Sequence, residues 1–184
     1  QPGPDMLRPT PLRRYLSVMT ARGYTATDVL ECTGVEAVRL EDPRYLIEAS
    51  QYQHIVANML SLAGDTGLGL DIGMQRDVKD FGILGYAALS CRTIRHSVEE
   101  FWGGRGGYGE AMGMMAKVVI PRGHSETVTV QITAPEASAA VYRFFVEEAL
   151  CLLLKVGAQV SGVEPRFKKL DFSYPRPRYA ARYH

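Results

Sequence analysis

The chain has 184 residues, with 21 Lys and Arg against 20 Asp and Glu, and therefore a formal net charge of +1. Its composition, 46% hydrophobic and 22% charged, is typical of a folded globular protein and excludes general disorder. The pI of about 7.9 argues against a dedicated nucleic-acid-binding domain, since such domains usually lie above about 9 with clustered cations. No apolar run approaches the roughly 18 residues of a membrane span, and the first residues lack the pattern of a signal peptide.

In the first half of the chain, apolar spacing and capping residues predict three helices. The first ends near Gly23 and has apolar residues at helical spacing: Leu12, Tyr15, Leu16 and Met19. Thr25 and Asp28 fit a capping box, which predicts a short helix that Gly34 ends. Asp42-Pro43 places a capping acid before a proline and predicts a third helix that runs to Gly64. Residues 64–70 are predicted to form a loop.

The middle of the chain is predicted to hold two further helices. Phe81–Leu89 is nearly all apolar and is predicted to be one short helix. Its Gly82 and Gly85 allow a neighbouring element to come close, at some cost in helix propensity. Thr93 is a suitable N-cap for a second helix that reaches Trp102.

The last third of the chain changes its hydrophobic period. Segments 115–120 and 127–133 are predicted to form a β-hairpin, because apolar and polar residues alternate in 127–133 and the residues at 121–125 between the two segments have turn composition. Pro135 opens the longest predicted helix, and residues 167–172 predict one late strand. The predicted fold class is therefore α+β, with a single, mostly helical domain over residues 1–184. Its small antiparallel sheet is predicted to consist of the hairpin and the late strand.

The motifs that would indicate an enzyme are incomplete. The G-x-G-x-x-G sequence at 104–109 follows a predicted helix and leads toward a strand, whereas a dinucleotide site needs a strand before the loop and a helix after it. The four histidines show no metal-binding spacing, and Glu147 and Glu148 are adjacent, so that they point to different faces of a helix. A reducing compartment fits the three cysteines, which form no C-x-x-C pair. We therefore predict no catalytic activity, no metal and no cofactor.

Aromatic side chains beside small residues predict a small-molecule pocket between the helix at 81–89, the helix that ends at Trp102 and the long helix. Such pockets combine apolar walls with a few polar groups. Glu148 is the most suggestive polar residue, because a carboxylate on so apolar a helix must be exposed, paired with an arginine such as Arg92 or Arg95, or directed at a ligand. The predicted walls of the pocket are Phe81, Tyr86, Trp102 and Phe144. The predicted polar contacts are the Tyr86 hydroxyl and Glu148, and the predicted lid is Tyr108. The alternative is that these side chains pack on one another as core.

Two glycine-rich motifs carry a resemblance to a known family. Residues 64–73 read GDTGLGLDIG, and residues 81–90 read FGILGYAALS, followed by Thr93-Ile94. Together they resemble the N-terminal effector-binding domain, often called arabinose-binding-like, of AraC/XylS-family transcriptional regulators. The likeness runs from about Leu12 to Tyr183, although Thr66-Gly67 stands where the family commonly has Pro-Ala.

The resemblance implies a cytoplasmic, homodimeric bacterial regulator whose N-terminal domain binds a small metabolite. It implies no membrane partner, and DNA binding only through a C-terminal helix-turn-helix domain that is absent from this sequence. The aromatic bias of the predicted pocket favours a partly apolar effector, and the apolar residues of the long helix extend past a single stripe, as a dimer interface would require. A second hypothesis stays open, in which the domain is a structural dimerisation or protein-interaction module without a small-molecule ligand.

Overall fold

A computed structural model describes residues 6–7, 9–42, 44–64, 66–103, 115–119, 127–133 and 137–183. Helices dominate, and two short antiparallel strand pairs complete the described fold, which confirms the mostly helical α+β class. The helices and strands in chain order are β1 Met6–Leu7, α1 Leu12–Ala21, α2 Ala26–Leu30, β2 Ile47–Glu48, α3 Ala49–Ala63, α4 Leu68–Gln75, α5 Ile83–Leu89, α6 Ile94–Val98, β3 Met115–Val119, β4 Thr129–Thr133 and α7 Ala139–Ser161. Short 3₁₀ turns lie at Ala37–Glu41, Val78–Phe81 and Ala180–Tyr183, and a π-helical turn at Glu99–Gly103.

Helices α1 and α2 agree with the sequence prediction. Helix α1 buries Tyr15 and Met19 and gives way to a turn at Gly23, whose φ is 91°. The capping box of α2 is present, because Thr25 Oγ1 accepts from the amide of Asp28 at 3.1 Å while the Asp28 carboxylate accepts from the amide of Thr25 at 2.7 Å.

The third helix begins later than the sequence predicted. Asp42 ends a 3₁₀ turn, and Ile47–Glu48 pairs with Met6–Leu7 as a strand. Helix α3 then begins at Ala49, where the amide of Glu48 donates to Gln51 Oε1 at 2.9 Å. The prediction was wrong because this strand pairing and the cap at Glu48 set the start of the helix, in place of the signal at Asp42.

The predicted loop at 64–70 is replaced in part by helix α4, which packs directly on α7. Two glycines of α4 face the long helix. A Cβ on Gly69 would lie 2.4 Å from the carbonyl oxygen of Phe144, and a Cβ on Gly73 would lie 2.6 Å from Cβ of Cys151. Only glycine allows the two helices to approach this closely, so the first glycine-rich motif is a helix-packing motif.

The predicted helix over 81–89 is interrupted. A 3₁₀ turn ends at Phe81, Gly82 adopts a φ of 55°, and α5 then begins at Ile83. A Cβ on Gly85 would lie 1.9 Å from the carbonyl oxygen of Val78. Gly85 therefore allows a neighbouring element to come close, as the sequence analysis predicted. That element is the backbone of the preceding turn, which leaves no room for a ligand at this glycine.

Helix α6 starts where it was predicted, but the chain after it changes from α-helical to π-helical hydrogen bonding. The amide of His96 donates to Thr93 Oγ1 at 3.1 Å, which confirms Thr93 as the N-cap of α6. After Val98 the chain continues as the π-helical turn that carries Trp102. Such turns are often found at functional sites.

The hairpin is confirmed, whereas the late strand is not. Strands β3 and β4 pair antiparallel from Met115 opposite Thr133 to Val119 opposite Thr129. Residues 167–172, all described, are irregular and pair with no described strand. Aromatic stacking of Phe172 on Tyr174 and Tyr183, with centroids 5.1 Å apart in both pairs, holds this segment in place of a strand ladder.

Helix α7 forms the centre of the domain. It begins at Ala139, four residues later than Pro135, with Ser138 as its N-cap, and its buried residues extend from Val141 to Gly157. Helices α3, α4, α5 and α6 all contact it. The apolar residues that the sequence analysis assigned to a dimer interface are thus covered largely within this chain. None of the helices in the described part of the chain has the length and apolar character of a membrane span.

The contact between α4 and α7 generates a stability prediction. We expect Gly69→Ala to lower the free energy of unfolding by about 1–3 kcal/mol, because the overlap with the Phe144 carbonyl outweighs the gain in helix propensity. Gln75→Ala, on the exposed end of the same helix, should change it by less than about 0.5 kcal/mol. Urea unfolding monitored by circular dichroism measures both, and equal stability of the two variants would contradict the close packing of α4 on α7.

Candidate functional site

A buried ion pair lies at the centre of the domain. Arg76 and Glu148 are both 0% exposed, and Arg76 Nη1 donates to Glu148 Oε1 at 2.5 Å. The hydroxyl of Tyr15 donates to the other carboxylate oxygen, Oε2, at 2.5 Å. Taking two charges out of water costs several kcal/mol per ion. Bonds to both carboxylate oxygens are what make the burial of Glu148 tolerable.

The glycine motif of α4 brings Arg76 to Glu148. Arg76 follows the last turn of α4, and its carbonyl oxygen accepts from Lys155 Nζ of α7 at 2.7 Å. A Cβ on Gly73 would lie 2.9 Å from the carbonyl oxygen of Glu148 itself. The guanidinium also lies over the ring of Tyr15, 5.9 Å from its centroid. Helices α1, α4 and α7 thus each contribute one member of the cluster.

A second tyrosine, Tyr52 of α3, packs against the edge of the same cluster. Its ring centroid is 5.8 Å from that of Tyr15, in an edge-to-face arrangement. The hydroxyl is buried with the Tyr15 hydroxyl and the Arg76 guanidinium as polar neighbours, and it makes no well-formed hydrogen bond with a described residue. Burial raises the pKa of the Tyr52 phenol well above its usual value, and the negative charge of Glu148 raises this pKa further.

The neighbouring carboxylate, Glu147, has a different set of partners. It is 1% exposed, and its Oε1 accepts from the hydroxyls of Tyr179 at 2.7 Å and Tyr183 at 2.6 Å. Partial burial and the hydrogen bond to Glu147 raise the pKa of the Tyr183 phenol. Two adjacent acids of α7 therefore bind opposite parts of the molecule, Glu148 the core and Glu147 the C-terminal segment.

An exposed ion-pair group lies beside this contact. Asp71 of α4 accepts from both Arg22 and Arg182. Arg182 also donates to the carbonyl oxygen of Thr66 at 2.6 Å. These residues line an open surface hollow together with Tyr24 and Ala63. Because Asp71 already neutralises part of the positive charge, the hollow is no ready-made anion site.

The structure distributes the predicted ligand-binding residues over several places. Phe144 and Glu148 come together around Tyr15, since the rings of Phe144 and Tyr15 are 5.5 Å apart and Tyr15 binds the carboxylate. Trp102 is 2% exposed and lies edge-on to Phe101, whereas Tyr86 is 58% exposed. Tyr108 and the side chain of Phe81 lie outside what the structure describes.

The partner of Glu148 differs from the arginines named from the sequence. Arg92 is exposed, and Arg95 donates to the carbonyl oxygen of Thr127 at 3.2 Å, so neither is part of the buried pair. Arg76 takes this role. The sequence contained a weak signal for it, because Arg76 follows the glycine motif that fixes its helix against α7. A ligand atom could reach Glu148 only by displacing Arg76 or Tyr15.

Ser97 is a further residue that the sequence analysis missed. It is 0% exposed on α6, and its Oγ makes no hydrogen bond with a described residue. Buried hydroxyls normally have a partner. Ser97 and Trp102 thus place a polar and an aromatic group near the junction of α6 and the π-helical turn. Among the described residues, no group of three or more His, Cys, Asp or Glu side chains could hold a metal ion.

The two core tyrosines give a matched stability prediction. Tyr15→Phe removes a hydrogen bond to a buried charge and should lower the free energy of unfolding by about 1.5–3 kcal/mol. Tyr52→Phe removes a hydroxyl that makes no well-formed hydrogen bond with a described residue and should lower it by less than about 1 kcal/mol. Urea denaturation of both variants at pH 7 is the measurement. An equal loss of unfolding free energy in the two variants would show that the Tyr15–Glu148 hydrogen bond does not stabilise the domain specifically.

Comparisons with known proteins agree with the resemblance of the motifs. Residues 23–184 match a family model described as the arabinose-binding domain of AraC transcription regulators, N-terminal. The matched residues include the α4 glycines, Arg76 and the whole of α7.

Characterised and uncharacterised regulators are among the relatives. The chain is 24% identical over 170 residues to the ornithine utilization regulator of Pseudomonas aeruginosa, a match that covers 91% of this chain and 48% of that protein. It is 33% identical over 96 residues to uncharacterized HTH-type transcriptional regulators of Mycobacterium tuberculosis and Mycobacterium bovis, covering 51% of this chain and 28% of each. The chain thus spans less than half the length of these relatives. It belongs to the family of arabinose-binding-type N-terminal domains of AraC transcription regulators.

Proposed function

We propose that this chain is the ligand-sensing and dimerisation domain of a cytoplasmic AraC-type transcriptional regulator. Its role is to bind a small, partly apolar metabolite and so to control DNA binding by a separate C-terminal domain. The observation that carries this proposal is the family match over residues 23–184. The family name describes a lineage, and we do not infer arabinose as the ligand.

We place the effector on the side of the domain formed by α5, α6, the π-helical turn and the hairpin. The turn that carries Trp102 contacts both α5 and β3. Trp102 offers a buried aromatic surface, and the Ser97 hydroxyl, which has no hydrogen-bond partner among the described residues, offers a donor and an acceptor. The backbone of Phe81 and residue Tyr86 lie in segments on this side. We propose that these two residues form the walls together with Tyr108, which is outside the described residues. Apolar walls with few polar groups suit a ligand that is itself largely apolar.

Phe144 and Glu148 have an indirect role in this proposal. Both lie in the buried cluster around Tyr15, and the carboxylate of Glu148 is already bound to Arg76. We propose that they support the effector site from beneath and respond to its occupation. Direct contact of the effector with Glu148 would require that it replace one of the two present partners.

A thermal-shift screen of metabolites, guided by native mass spectrometry of the purified chain for a retained small molecule, tests the proposal. A cognate effector at about a hundred times its Kd adds about 2.7 kcal/mol of stability. For a domain of this size this corresponds to a rise in Tm of about 5–11 °C. No retained molecule and no stabilising metabolite in a broad panel would favour the alternative of a structural interaction module.

The location of the site is tested by variants, each compared with its own unliganded Tm. Trp102→Leu and Ser97→Ala should reduce the ligand-induced shift by at least half, because each removes a proposed contact. Tyr45→Leu removes a buried aromatic next to the 3₁₀ turn at Ala37–Glu41 and serves as the matched control. If Trp102→Leu and Ser97→Ala keep the full shift, the effector binds elsewhere.

Self-association is the second part of the proposal, and we expect a homodimer related by a two-fold axis. The family resemblance supports it, while the burial of α7 within the chain moves the expected interface away from that helix. Sedimentation velocity at micromolar concentrations should show a species of twice the 20.4 kDa chain mass. A monomer that persists to high micromolar concentration would contradict it.

A further inference from the structure

We propose that Glu147 and Glu148 couple the buried ion pair to the C-terminal segment, residues 177–183, so that this segment is a switch with a docked and a released state. Glu148 binds the core and Glu147 binds the segment. The inference rests on the proposed function, in which the segment lies between the sensor domain and whatever follows it in a regulator.

The segment is docked through its tyrosines. Tyr179 and Tyr183 both donate to Glu147 Oε1, and Ala180 between them is buried. Hydrogen bonds to a charged group are stronger than those between neutral groups. Among the described residues, the backbone of the segment makes only short local hydrogen bonds, such as those from the amide of Ala180 to the Pro177 carbonyl and from the amide of Arg182 to the Tyr179 carbonyl. Its position therefore depends on side-chain contacts with α4 and α7.

A second contact holds the segment to α4. Arg182 binds Asp71 and the carbonyl oxygen of Thr66. Gly67, with a φ of 79°, leaves the space for this contact, because a Cβ there would lie 2.8 Å from Arg182 Nη1 and 3.0 Å from the Tyr179 ring. Asp71 also binds Arg22, directly after α1. The docked segment is thus in contact with the same helices that form the buried cluster.

The coupling follows from the adjacency of the two acids on one turn of a tightly packed helix. Gly69 is in contact with Glu147, since a Cβ there would lie 2.9 Å from Cβ of Glu147, and Gly73 is in contact with Glu148. The backbone of α7 at this turn therefore cannot move relative to α4 without affecting both carboxylates. Closely packed interfaces of this kind respond by switching between discrete arrangements rather than by small deformations. A rearrangement of Arg76, Tyr15 and Glu148 would then change the position of Glu147 and release the tyrosines.

Hydrogen–deuterium exchange of the 184-residue chain tests this coupling without an effector or DNA. The readout is the peptide that covers 177–183, with the amides of Ala180 and Arg182. Tyr183→Phe removes one docking bond and should speed exchange there roughly tenfold. Tyr15→Phe removes a bond to the core carboxylate Glu148 and should speed exchange of the segment several-fold.

Two controls separate coupling from a general loss of stability. Val29→Ala empties part of the core beneath α2 and should destabilise the domain by an amount similar to Tyr15→Phe. It should leave exchange of 177–183 unchanged, because these amides exchange by local opening. Arg178→Ala, at an exposed position of the segment itself, should also have no effect.

The exchange rates of the four variants can support or contradict the coupling. Faster exchange with Tyr15→Phe and Tyr183→Phe, and with neither control, supports the switch. If Tyr15→Phe leaves the segment unchanged, or if Val29→Ala speeds its exchange equally, the coupling does not exist. Such a failure would leave the effector screen untouched, so the switch and the sensing function are tested separately.

Discussion

The fold depends on one interaction, the fully buried pair of Arg76 and Glu148 with the Tyr15 hydroxyl on its second oxygen. A pair of this kind contributes little net stability by itself, because desolvation offsets the attraction. Removal of either partner is nevertheless strongly destabilising, since the remaining charge stays buried without a counter-charge. The pair therefore specifies one arrangement of α1, α4 and α7 far more strongly than it stabilises the domain, and every contact around it must be compatible with that arrangement.

The close approach of α4 to α7 makes the pair possible. Gly69 and Gly73 allow backbone contact between the two helices, and this contact carries Arg76 to the depth of Glu148. A conventional interface of larger side chains would separate the axes and leave the guanidinium short of its partner. The close packing at the glycine motif thus allows the ion pair to form. It also fixes the turn of α7 from which Glu147 reaches the C-terminal segment.

A sensor requires an element that has more than one stable arrangement and that a ligand can bias. In the proposed function the buried cluster, in which Arg76 and Tyr15 share the Glu148 carboxylate, is the element that a ligand would bias. The proposed effector side, around Trp102 and Ser97, and the C-terminal segment both contact α7 or the elements packed on it.

The sequence by itself determined the mostly helical α+β class, the caps at Thr25 and Thr93, the hairpin and the family, because each rests on local spacing or on a motif. The tertiary structure decided what local patterns could not. Pairing with β1 moved the start of α3, and stacking of Phe172 replaced a strand. The partner of Glu148 had only a weak signal in the sequence, the glycine motif before Arg76. The two residues lie 72 positions apart and meet only because two helices touch at glycine.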